Sequence, residues 1–383
     1  MIITMEGAMK KDTQCVHSGT CADPQTRGIN TPIYTSSSFE YLDMPENVYP
    51  RYFNTPNQKA IIEKLCALEN AADGLIFSSG MAAISTVMFS FLGSGDQVVL
   101  QRDIYGGTHH FATAEFDKFG IEYSFTGNQT ADIERAIRSN TRIIYIESPS
   151  NPLLMITDIA SVAQIAKSKN ILTVIDNTFA TPINQNPLDL GMDVVIHSGT
   201  KYIGGHSDIC CGVALASEKL IAVIKESAAN LGGSLNAITC YLIERSLKTL
   251  GIRVAKQNSN ALAIANHLRT NSLIKKVNYP GLENHPDFQI AAKQMKAFGG
   301  MLSFELDDQR VSPVEFLKKL NLIKPALSLG GVETIICAPV ATSHEKMSDA
   351  ERAELGITNS LLRLSVGIED SDDLIADIEQ ALE

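Results

Sequence analysis

The sequence predicts an α/β protein with a large domain built on a mostly parallel, seven-stranded sheet and a smaller C-terminal α+β domain. The chain has 383 residues, which is too long for one compact core and favours two domains. Strand-like apolar runs alternate with amphipathic helical segments from residue 57 to about 230, as in a sheet covered on both faces. Beyond about residue 270 the pattern changes to strands such as GGMLSFEL with helices between and after them. We place the segments at 1–56, 57–235 and 236–383.

The predicted elements of the large domain follow one another in strand and helix order. A helix is expected over 58–70, where apolar residues recur at helical spacing. Thr157 and Asp158 form the cap of a later helix. The strands are predicted at GLIFSS, QVVLQ, IEYSF, RIIYIE, the apolar runs that end at Asp176 and near Ser198, and CGVALA. Ligands of such sheets bind beyond the carboxyl ends of the strands, so the residues that follow those ends are the candidates for a site.

Residues 1–56 show little periodicity and contain several aromatic side chains, such as Tyr34, Phe39 and Tyr41. A long irregular segment in a globular protein is either disordered or spread over a partner. Aromatic residues are rare in disordered segments. We therefore expect an N-terminal arm that contacts a neighbouring subunit.

Composition excludes several classes of function. The net charge of −11 and the lack of a basic cluster disfavour nucleic-acid binding. No apolar run approaches the ~20 residues of a membrane helix, and the first residues lack an export signal, so we expect no membrane contact and a cytoplasmic location. The seven cysteines include no CxxC pair and the histidines no HExxH spacing, so we expect no metal site. Motifs for dinucleotides and nucleoside triphosphates are also missing.

A lysine and an aspartate are expected to lie at the same edge of the predicted sheet. Asp176 ends one apolar run, and Lys201 follows the next run, beyond Ser198. A lysine amine can bond to the aldehyde of pyridoxal phosphate (PLP), and an aspartate can keep its ring nitrogen protonated. Ser198 and Thr200 offer hydroxyl groups for a phosphate. The alternative is a solvated surface lysine and an ordinary loop carboxylate.

Three further strand ends carry candidate residues. In SSGMAA, the N–H groups of Gly80 and Met81 can face an anion at the start of a helix, although a plain tight turn is the alternative. Tyr105, in RDIYGGTHH, can stack on a cofactor ring and move a proton, or it can be a buried structural residue. Asn151, in ESPSNP, carries little signal by itself.

An arginine lies within a strand of the predicted C-terminal domain. In LLRLSVGI, Arg363 stands between leucines, where a guanidinium is costly to bury without an anion. A carboxylate is its natural partner. An arginine on an edge strand, paired with a nearby acidic residue, is the alternative. The preceding segment SLGGVETIICAP has a glycine pair that permits a tight backbone beside a ligand.

DNTFATP followed by HSGTKYIGGH resembles the signature of the Cys/Met-metabolism family of PLP-dependent, trans-sulfuration enzymes, and the resemblance runs from about residue 31 to 367. It implies the type I fold of PLP-dependent transferases and a homotetramer, a dimer of dimers with shared active sites. It implies Lys201, Asp176 and Tyr105 as catalytic residues. The implied cofactor-binding residues are Gly80, Met81, Tyr105, Asn151, Asp176, Ser198, Thr200 and Lys201, with Tyr49 and Arg51 of VYPRYFNTPNQ reaching a neighbour's phosphate. The implied substrate-binding residues are Arg363, Ser328, Asn151 and Glu333.

The resemblance also bears on the reaction. Glu333 resembles a glutamate of members that act on cystathionine at its γ carbon, and Gly107 stands where methionine-cleaving members carry a cysteine. We therefore expect α,γ-elimination on L-cystathionine. The alternatives are γ-replacement, either synthesis of cystathionine or sulfhydrylation of O-acetylhomoserine, and then γ-cleavage of methionine or β-cleavage of cystathionine. No motif separates elimination from replacement.

Overall fold

The computed structural model describes residues 9–342, 345 and 348–383. These residues form a seven-stranded and a five-stranded sheet, each packed against helices. No helix within the described ranges is long and apolar enough to cross a membrane. The predicted class, a large mostly parallel sheet and a smaller sheet, is confirmed. The segment boundaries themselves stay predictions.

The large sheet has the strand order β1-β7-β6-β5-β4-β2-β3. Its strands are β1 (Asp73–Phe77), β2 (Gln97–Gln101), β3 (Glu122–Thr126), β4 (Thr141–Glu147), β5 (Leu172–Asp176), β6 (Val194–Ser198) and β7 (Gly212–Ala216). The run from β3 through β2, β4 and β5 to β6 is parallel. By contrast, β7 is antiparallel to both of its neighbours, β6 and β1. The connection from β6 to β7 contains no crossover helix, which a parallel pair would need.

Ten α-helices lie before the second sheet in the described chain, and they cover both faces of the first. They are α1 (Lys11–His17), α2 (Pro56–Glu69), α3 (Gly80–Phe91), α4 (Gly106–Glu115), α5 (Thr130–Ala136), α6 (Ile159–Ser168), α7 (Thr181–Asn184), α8 (Glu218–Leu231), α9 (Ala237–Leu247) and α10 (Leu250–Leu268). Short 3₁₀ helices occur at Pro50–Tyr52, Phe116–Phe119 and Pro187–Leu190. The expected cap of α6 is present, since Asp158 accepts from the N–H of Ser161 at 3.1 Å. The short helix α1 was not expected within the arm.

The second sheet has the order β10-β11-β12-β9-β8. Its strands and helices are β8 (Ile274–Asn278), α11 (Phe288–Gln294), β9 (Met301–Leu306), α12 (Pro313–Lys319), β10 (Lys324–Pro325), β11 (Ile335–Cys337), a 3₁₀ helix (Pro339–Ala341), α13 (Asp349–Glu354), β12 (Leu361–Ser365) and α14 (Ser371–Leu382). The strand β12 is central, between β11 and β9, and all five of its residues are buried.

One apolar core joins the two sheets. It includes Ile76 of β1 and Val213 of β7, together with Phe304 of β9 and Leu364 of β12. The helices α9 and α10 contribute to the same core. Because burial of apolar surface is the main stabilising term in folding, this shared core fixes the second sheet against the first. The carboxyl ends of the parallel strands can therefore meet residues of the second sheet.

Candidate active site

The site begins where β4, β5 and β6 end. The three strands are parallel neighbours, and Glu147 at the end of β4 is the register partner of Asp176 at the end of β5. The start of α3 lies against the end of β6, because a Cβ atom placed on Gly80 would lie 2.9 Å from the Cβ of Ser198. Residues that are far apart in the sequence therefore converge on one edge of the sheet, as expected for a sheet of this type.

Lys201 lies in the turn after β6 and points toward the second sheet. Its Nζ donates a hydrogen bond to the hydroxyl of Ser328 at 2.7 Å. Burial, followed by the nearby positive charge of Arg363, lowers the pKa of the Lys201 amine from its usual 10.5. Both effects disfavour the protonated form, so this amine gives up its proton more readily than a surface lysine does.

Arg363 lies on the central strand of the second sheet and is 5% exposed. Its Nη1 donates to Oδ1 of Asn151 at 2.9 Å, and its Nη2 donates to the carbonyl oxygen of Ser328 at 3.1 Å. Its Nε is buried without an acceptor, and no carboxylate of the described chain forms an ion pair with it. The alternative of an edge-strand arginine paired with an acidic residue is wrong. A buried guanidinium held only by neutral oxygens is a site for an anion.

Asp176 is held by a residue that the sequence analysis did not single out, Thr178. The N–H of Thr178 donates to Oδ1 of Asp176 at 2.9 Å, and the Thr178 hydroxyl also donates to Oδ1. The same hydroxyl accepts from the N–H of Ser198 at 2.8 Å, so it ties β5 to β6. Burial raises the pKa of the Asp176 carboxyl, and the two donors of Thr178 oppose that shift. The sequence feature that could have identified Thr178 is its position two residues after an aspartate, which is typical of an Asx turn.

The residues expected at a phosphate lie at the start of α3 and in the turn after β6. Gly80 and Met81 open α3, where the first backbone N–H groups of a helix have no partners within the helix. Ser198 contacts Gly80. Thr200 is already engaged, because its hydroxyl donates to the carbonyl oxygen of Cys211 at 3.2 Å and accepts from the N–H of Cys211 at 3.0 Å. All four therefore lie near one another, and their contact with a phosphate stays a prediction.

Tyr105 precedes α4 and is 46% exposed. Its backbone N–H donates to both carboxyl oxygens of Glu147 at 2.9 Å, which fixes the start of α4 against the end of β4. A Cβ atom placed on Gly107 would lie 2.4 Å from Cε1 of the Tyr105 ring. A larger residue at position 107 therefore requires the ring to move.

Glu333 lies at the margin of the site, on the loop that carries Ser328. This loop packs on the loop after Lys201, since the N–H of Val332 donates to the carbonyl oxygen of Gly205 at 2.9 Å. The carboxylate of Glu333 is exposed and accepts a hydrogen bond from the hydroxyl of Ser207.

Tyr49 and Arg51 do not hydrogen-bond to this cluster within the chain. The Arg51 guanidinium donates to the carbonyl oxygen of Ala229 in α8 and lies over the Tyr49 ring, 5.8 Å from its centroid. Their expected contact with a neighbouring subunit's phosphate stays a prediction.

The donor set suits PLP. An amine with a lowered pKa can meet an aldehyde, a carboxylate can meet a ring N–H, and a helix start can meet a phosphate. The orphaned Nε of Arg363 leaves a donor for the carboxylate of an amino-acid substrate. No cluster of three or more histidine, cysteine, aspartate or glutamate side chains in the described ranges could hold a metal ion.

Comparison with known proteins agrees with this chemistry. The profile described as Cys/Met metabolism PLP-dependent enzyme matches residues 12–383. The cystathionine gamma-lyase of Bacillus subtilis (strain 168) is 43% identical over 380 residues, 98% of this chain and all of the relative (100%). The cystathionine beta-lyase of Lactococcus lactis subsp. cremoris (strain MG1363) is 40% identical over 375 residues, 97% of this chain and 98% of the relative.

A solved structure is similar over the same extent. The crystal structure of cystathionine gamma-lyase from Lactobacillus plantarum complexed with L-serine has a TM-score of 0.94 and 38% sequence identity to this chain. The similarity covers 97% of this chain and 98% of that one. These findings confirm the predicted type I fold and its cofactor, PLP. The chain is a PLP-dependent trans-sulfuration enzyme and belongs to the Cys/Met-metabolism family.

Proposed function

We propose that this chain is a carbon–sulfur lyase that cleaves L-cystathionine at its γ carbon, releasing cysteine, 2-oxobutyrate and ammonia. The observation that carries the proposal is the hydrogen-bonded series from Lys201 through Ser328 and Arg363 to Asn151. It unites an amine of lowered pKa with a buried cation that has no carboxylate partner in the described chain. This is what proton removal from the Cα atom of an α-amino acid requires.

The α-carboxylate of the substrate binds to Arg363, with Asn151 and Ser328 holding the guanidinium in place. The guanidinium offers a planar fork of donors that matches a carboxylate. Two of its nitrogens are held at 2.9 and 3.1 Å by neutral oxygens, so the fork is positioned before the substrate arrives. A fixed carboxylate sets the direction of the bond from Cα to its proton, which determines the rate of proton removal.

Lys201 serves as the base that removes the proton from Cα, and Tyr105 serves as the acid that protonates the departing sulfur. Bound PLP supplies an electron-withdrawing ring that stabilises negative charge at Cα. Burial and the charge of Arg363 suit Lys201 to its role by favouring its neutral form. Tyr105 is partly exposed, and its backbone N–H contacts the end of β4, at the same edge of the sheet.

The remaining predicted residues would hold the cofactor. Asp176 would accept a hydrogen bond from the ring nitrogen, and a positive charge there would favour the ionised form of its carboxyl. The start of α3 at Gly80 and Met81, with Ser198 and Thr200, would bind the phosphate. Asn151 would lie near the oxygen atom on the cofactor ring.

Two residues favour cystathionine over methionine. The exposed carboxylate of Glu333 lies on the loop of Ser328, where it can bind the distal ammonium group of cystathionine, a group that methionine lacks. Gly107 has no side chain, so the Tyr105 ring can lie against it. A cysteine side chain at position 107 would force the ring to move. The same features are compatible with γ-replacement, and the relatives named above include a β-lyase, so the regiochemistry needs a direct assay.

The assay uses the purified holoenzyme with L-cystathionine, L-methionine, L-cysteine and O-acetyl-L-homoserine, each with and without added thiol. We expect 2-oxobutyrate and cysteine from cystathionine as the main products. Pyruvate and homocysteine would show β-cleavage instead. A sulfide or thioether product from O-acetylhomoserine, without release of oxo acid, would show γ-replacement. Either of these as the preferred reaction would overturn the proposal.

We also propose a homotetramer, a dimer of dimers, in the cytoplasm, in which the arm of residues 1–56 contacts a neighbouring subunit. The arm exposes large apolar side chains, with Ile29 84%, Tyr41 70% and Leu42 72% accessible. Large apolar side chains with this exposure are typical of contact surfaces when they form one patch. Arg51 lies at the end of this arm, as required if it reaches a neighbour's phosphate.

A further inference from the structure

A buried acid, Glu147, lies at the centre of the site without a role in the reaction described above. It ends β4, is 6% exposed, and is the register partner of Asp176. Both of its carboxyl oxygens accept the backbone N–H of Tyr105 at 2.9 Å. Glu147 therefore contacts the segment that carries one proposed catalytic side chain and lies beside the strand end that carries another.

The surroundings of Glu147 are acidic and hydroxyl-rich. The charged groups that act on it most strongly are Asp176 on β5 and Asp103 in the segment after β2, and both are acids. The phenol of Tyr145, on β4 itself, lies close to the Glu147 carboxyl and to the hydroxyl of Thr108 in α4. Both hydroxyl groups are buried and form no hydrogen bond of regular geometry.

Glu147 and Asp176 are register partners at the ends of neighbouring strands, so a negative charge on one of them disfavours a negative charge on the other. Asp176 receives two hydrogen bonds from Thr178, which favour its ionised form. Glu147 receives one backbone N–H, shared between its two oxygens, and the phenol of Tyr145 lies beside it. The N–H and the phenol favour the ionised form of Glu147, but burial and the charge of Asp176 outweigh them. Burial and the charge of Asp176 raise the pKa of Glu147 well above its usual value. Of these two acids, Glu147 is therefore the one that carries a proton.

We propose that Glu147 is a positioning residue that acts in its neutral form. It holds the start of α4, and with it the Tyr105 ring, and it leaves Asp176 as the single carboxylate for the ring nitrogen of the cofactor. The inference rests on the proposed roles of Tyr105 and Asp176, but it does not depend on which sulfur amino acid is cleaved.

The test compares Glu147→Gln with Glu147→Ala. Glutamine has the shape of a neutral glutamic acid and keeps an oxygen that can accept from the N–H of Tyr105. We expect its dissociation constant for PLP, measured by titrating the apoenzyme and following the cofactor's absorbance and circular dichroism, to stay within about threefold of wild type. Alanine removes the acceptor of a buried N–H, so the same constant should rise about tenfold or more.

A change of more than about tenfold in the Glu147→Gln dissociation constant, in either direction, would overturn the proposal. Tighter binding would show that wild-type Glu147 is ionised and repels the charge of Asp176, whereas weaker binding would show that its negative charge is needed. This readout does not involve substrate, so failure of the cystathionine assay leaves it intact.

A second measurement remains informative if Glu147→Ala does not fold. The infrared difference spectrum of wild type minus Glu147→Gln should contain the carbonyl band of a protonated carboxylic acid. Far-ultraviolet circular dichroism establishes that the glutamine variant is folded. A difference spectrum that shows a carboxylate band instead would contradict the neutral form.

Discussion

Arg363 determines what the site can bind because its charge is buried and balanced by neutral oxygens alone. A guanidinium on the central strand of a sheet is costly to desolvate, and its contacts with Asn151 and Ser328 leave one buried N–H free. Ser328 itself has a φ of 89°, in the left-handed region that non-glycine residues seldom adopt. Such backbone strain, which costs of order 1–3 kcal/mol, is typical of functional positions.

Replacement of Arg363 should therefore raise KM more than it lowers kcat. We expect Arg363→Met to lose about 30-fold or more in kcat/KM, since losing one member of a buried charge pair costs about 2 kcal/mol or more. Arg363→Lys should recover only part of this, because an ammonium group lacks the planar fork. Arg142, an exposed arginine paired with Asp96, provides the matched control Arg142→Met. Equal KM values for the Arg363→Met enzyme and the control would contradict the assignment.

The amine of Lys201 should show its lowered pKa in the rate at which PLP recombines with the apoenzyme. Only an unprotonated amine attacks an aldehyde, so the rate rises with pH as the amine loses its proton. Because burial and Arg363 lower the pKa of Lys201, the rate should level off below pH 10.5. Arg363→Met removes a positive charge and should raise the pKa of Lys201, which moves the curve to higher pH. An unchanged curve, or one moved to lower pH, would exclude the electrostatic coupling.

Among the elements, α10 supports the turn that carries Lys201. Arg253 of α10 is buried, and its guanidinium donates to the carbonyl oxygens of Tyr202 at 2.8 Å and Ser246 at 3.0 Å. Burial lowers the pKa of Arg253 to about 10. Gly205 closes the same turn, because its N–H donates to the carbonyl oxygen of Lys201 at 2.7 Å. The position of the lysine thus depends on packing against a helix that is distant in sequence.

Gly205→Ala should disturb this turn more than the strain of placing a side chain at a positive φ alone would. Gly205 has a φ of +68°, and an added Cβ would lie 2.1 Å from Nη1 of Arg253. Gly95 has a φ of +87° with nothing within 4 Å, so Gly95→Ala reports the backbone strain by itself. We expect Gly95→Ala to lower the free energy of unfolding by about 1 kcal/mol and Gly205→Ala by about 1 kcal/mol more.

Chemical denaturation of the two variants measures the difference in free energy, and titration with PLP shows whether the turn is affected. Only Gly205→Ala should weaken PLP binding. If both variants bind PLP as wild type does, the turn does not depend on the contact between Gly205 and Arg253.

At the element scale the sequence was most informative for strands with strong apolar runs. The seven strands of the large sheet were predicted because their periodicity is local. The short strands β10 and β11 were not, since a strand of two or three residues leaves too little pattern to recognise. The direction of β7 was also missed, because pairing depends on the length and content of a connection rather than on the strand itself.

The same difference between local sequence pattern and long-range packing holds for the site. Lys201, Asp176 and Arg363 were singled out as candidates because they are unusual residue types at strand ends or within a strand. Thr178 and Glu147 were not, because a threonine or a glutamate beside a strand end is common and its importance depends on which strand is its neighbour. The convergence of Ser328 with Lys201 likewise depends on how the two sheets pack.

In the whole molecule, part of the candidate site lies between the two sheets, and the described part of the arm, residues 9–56, exposes several large apolar side chains. The shared apolar core fixes the sheets, whereas Tyr49 and Arg51 form no hydrogen bond to the Lys201 cluster. If these residues serve a neighbouring subunit, each active site needs side chains from two chains.

Subunit complementation checks this arrangement. Arg51→Met and Lys201→Ala should each be nearly inactive as pure oligomers. When the two variants are unfolded together and refolded, mixed oligomers contain some sites with both wild-type residues. Random pairing should restore activity in up to about a quarter of the sites. Light scattering gives the number of subunits. A mixture with no more activity than its components would contradict shared sites, and a monomer would contradict the proposed assembly.

The central claim is the bond between the Lys201 amine and PLP, and peptide mapping tests it most directly. Borohydride reduction of the holoenzyme makes that bond permanent, and proteolysis with mass spectrometry locates the pyridoxyl group. We expect the group on the peptide that contains Lys201, and we expect Lys201→Ala to carry none. A pyridoxyl group on a different lysine, or a purified protein that binds no PLP, would contradict the account.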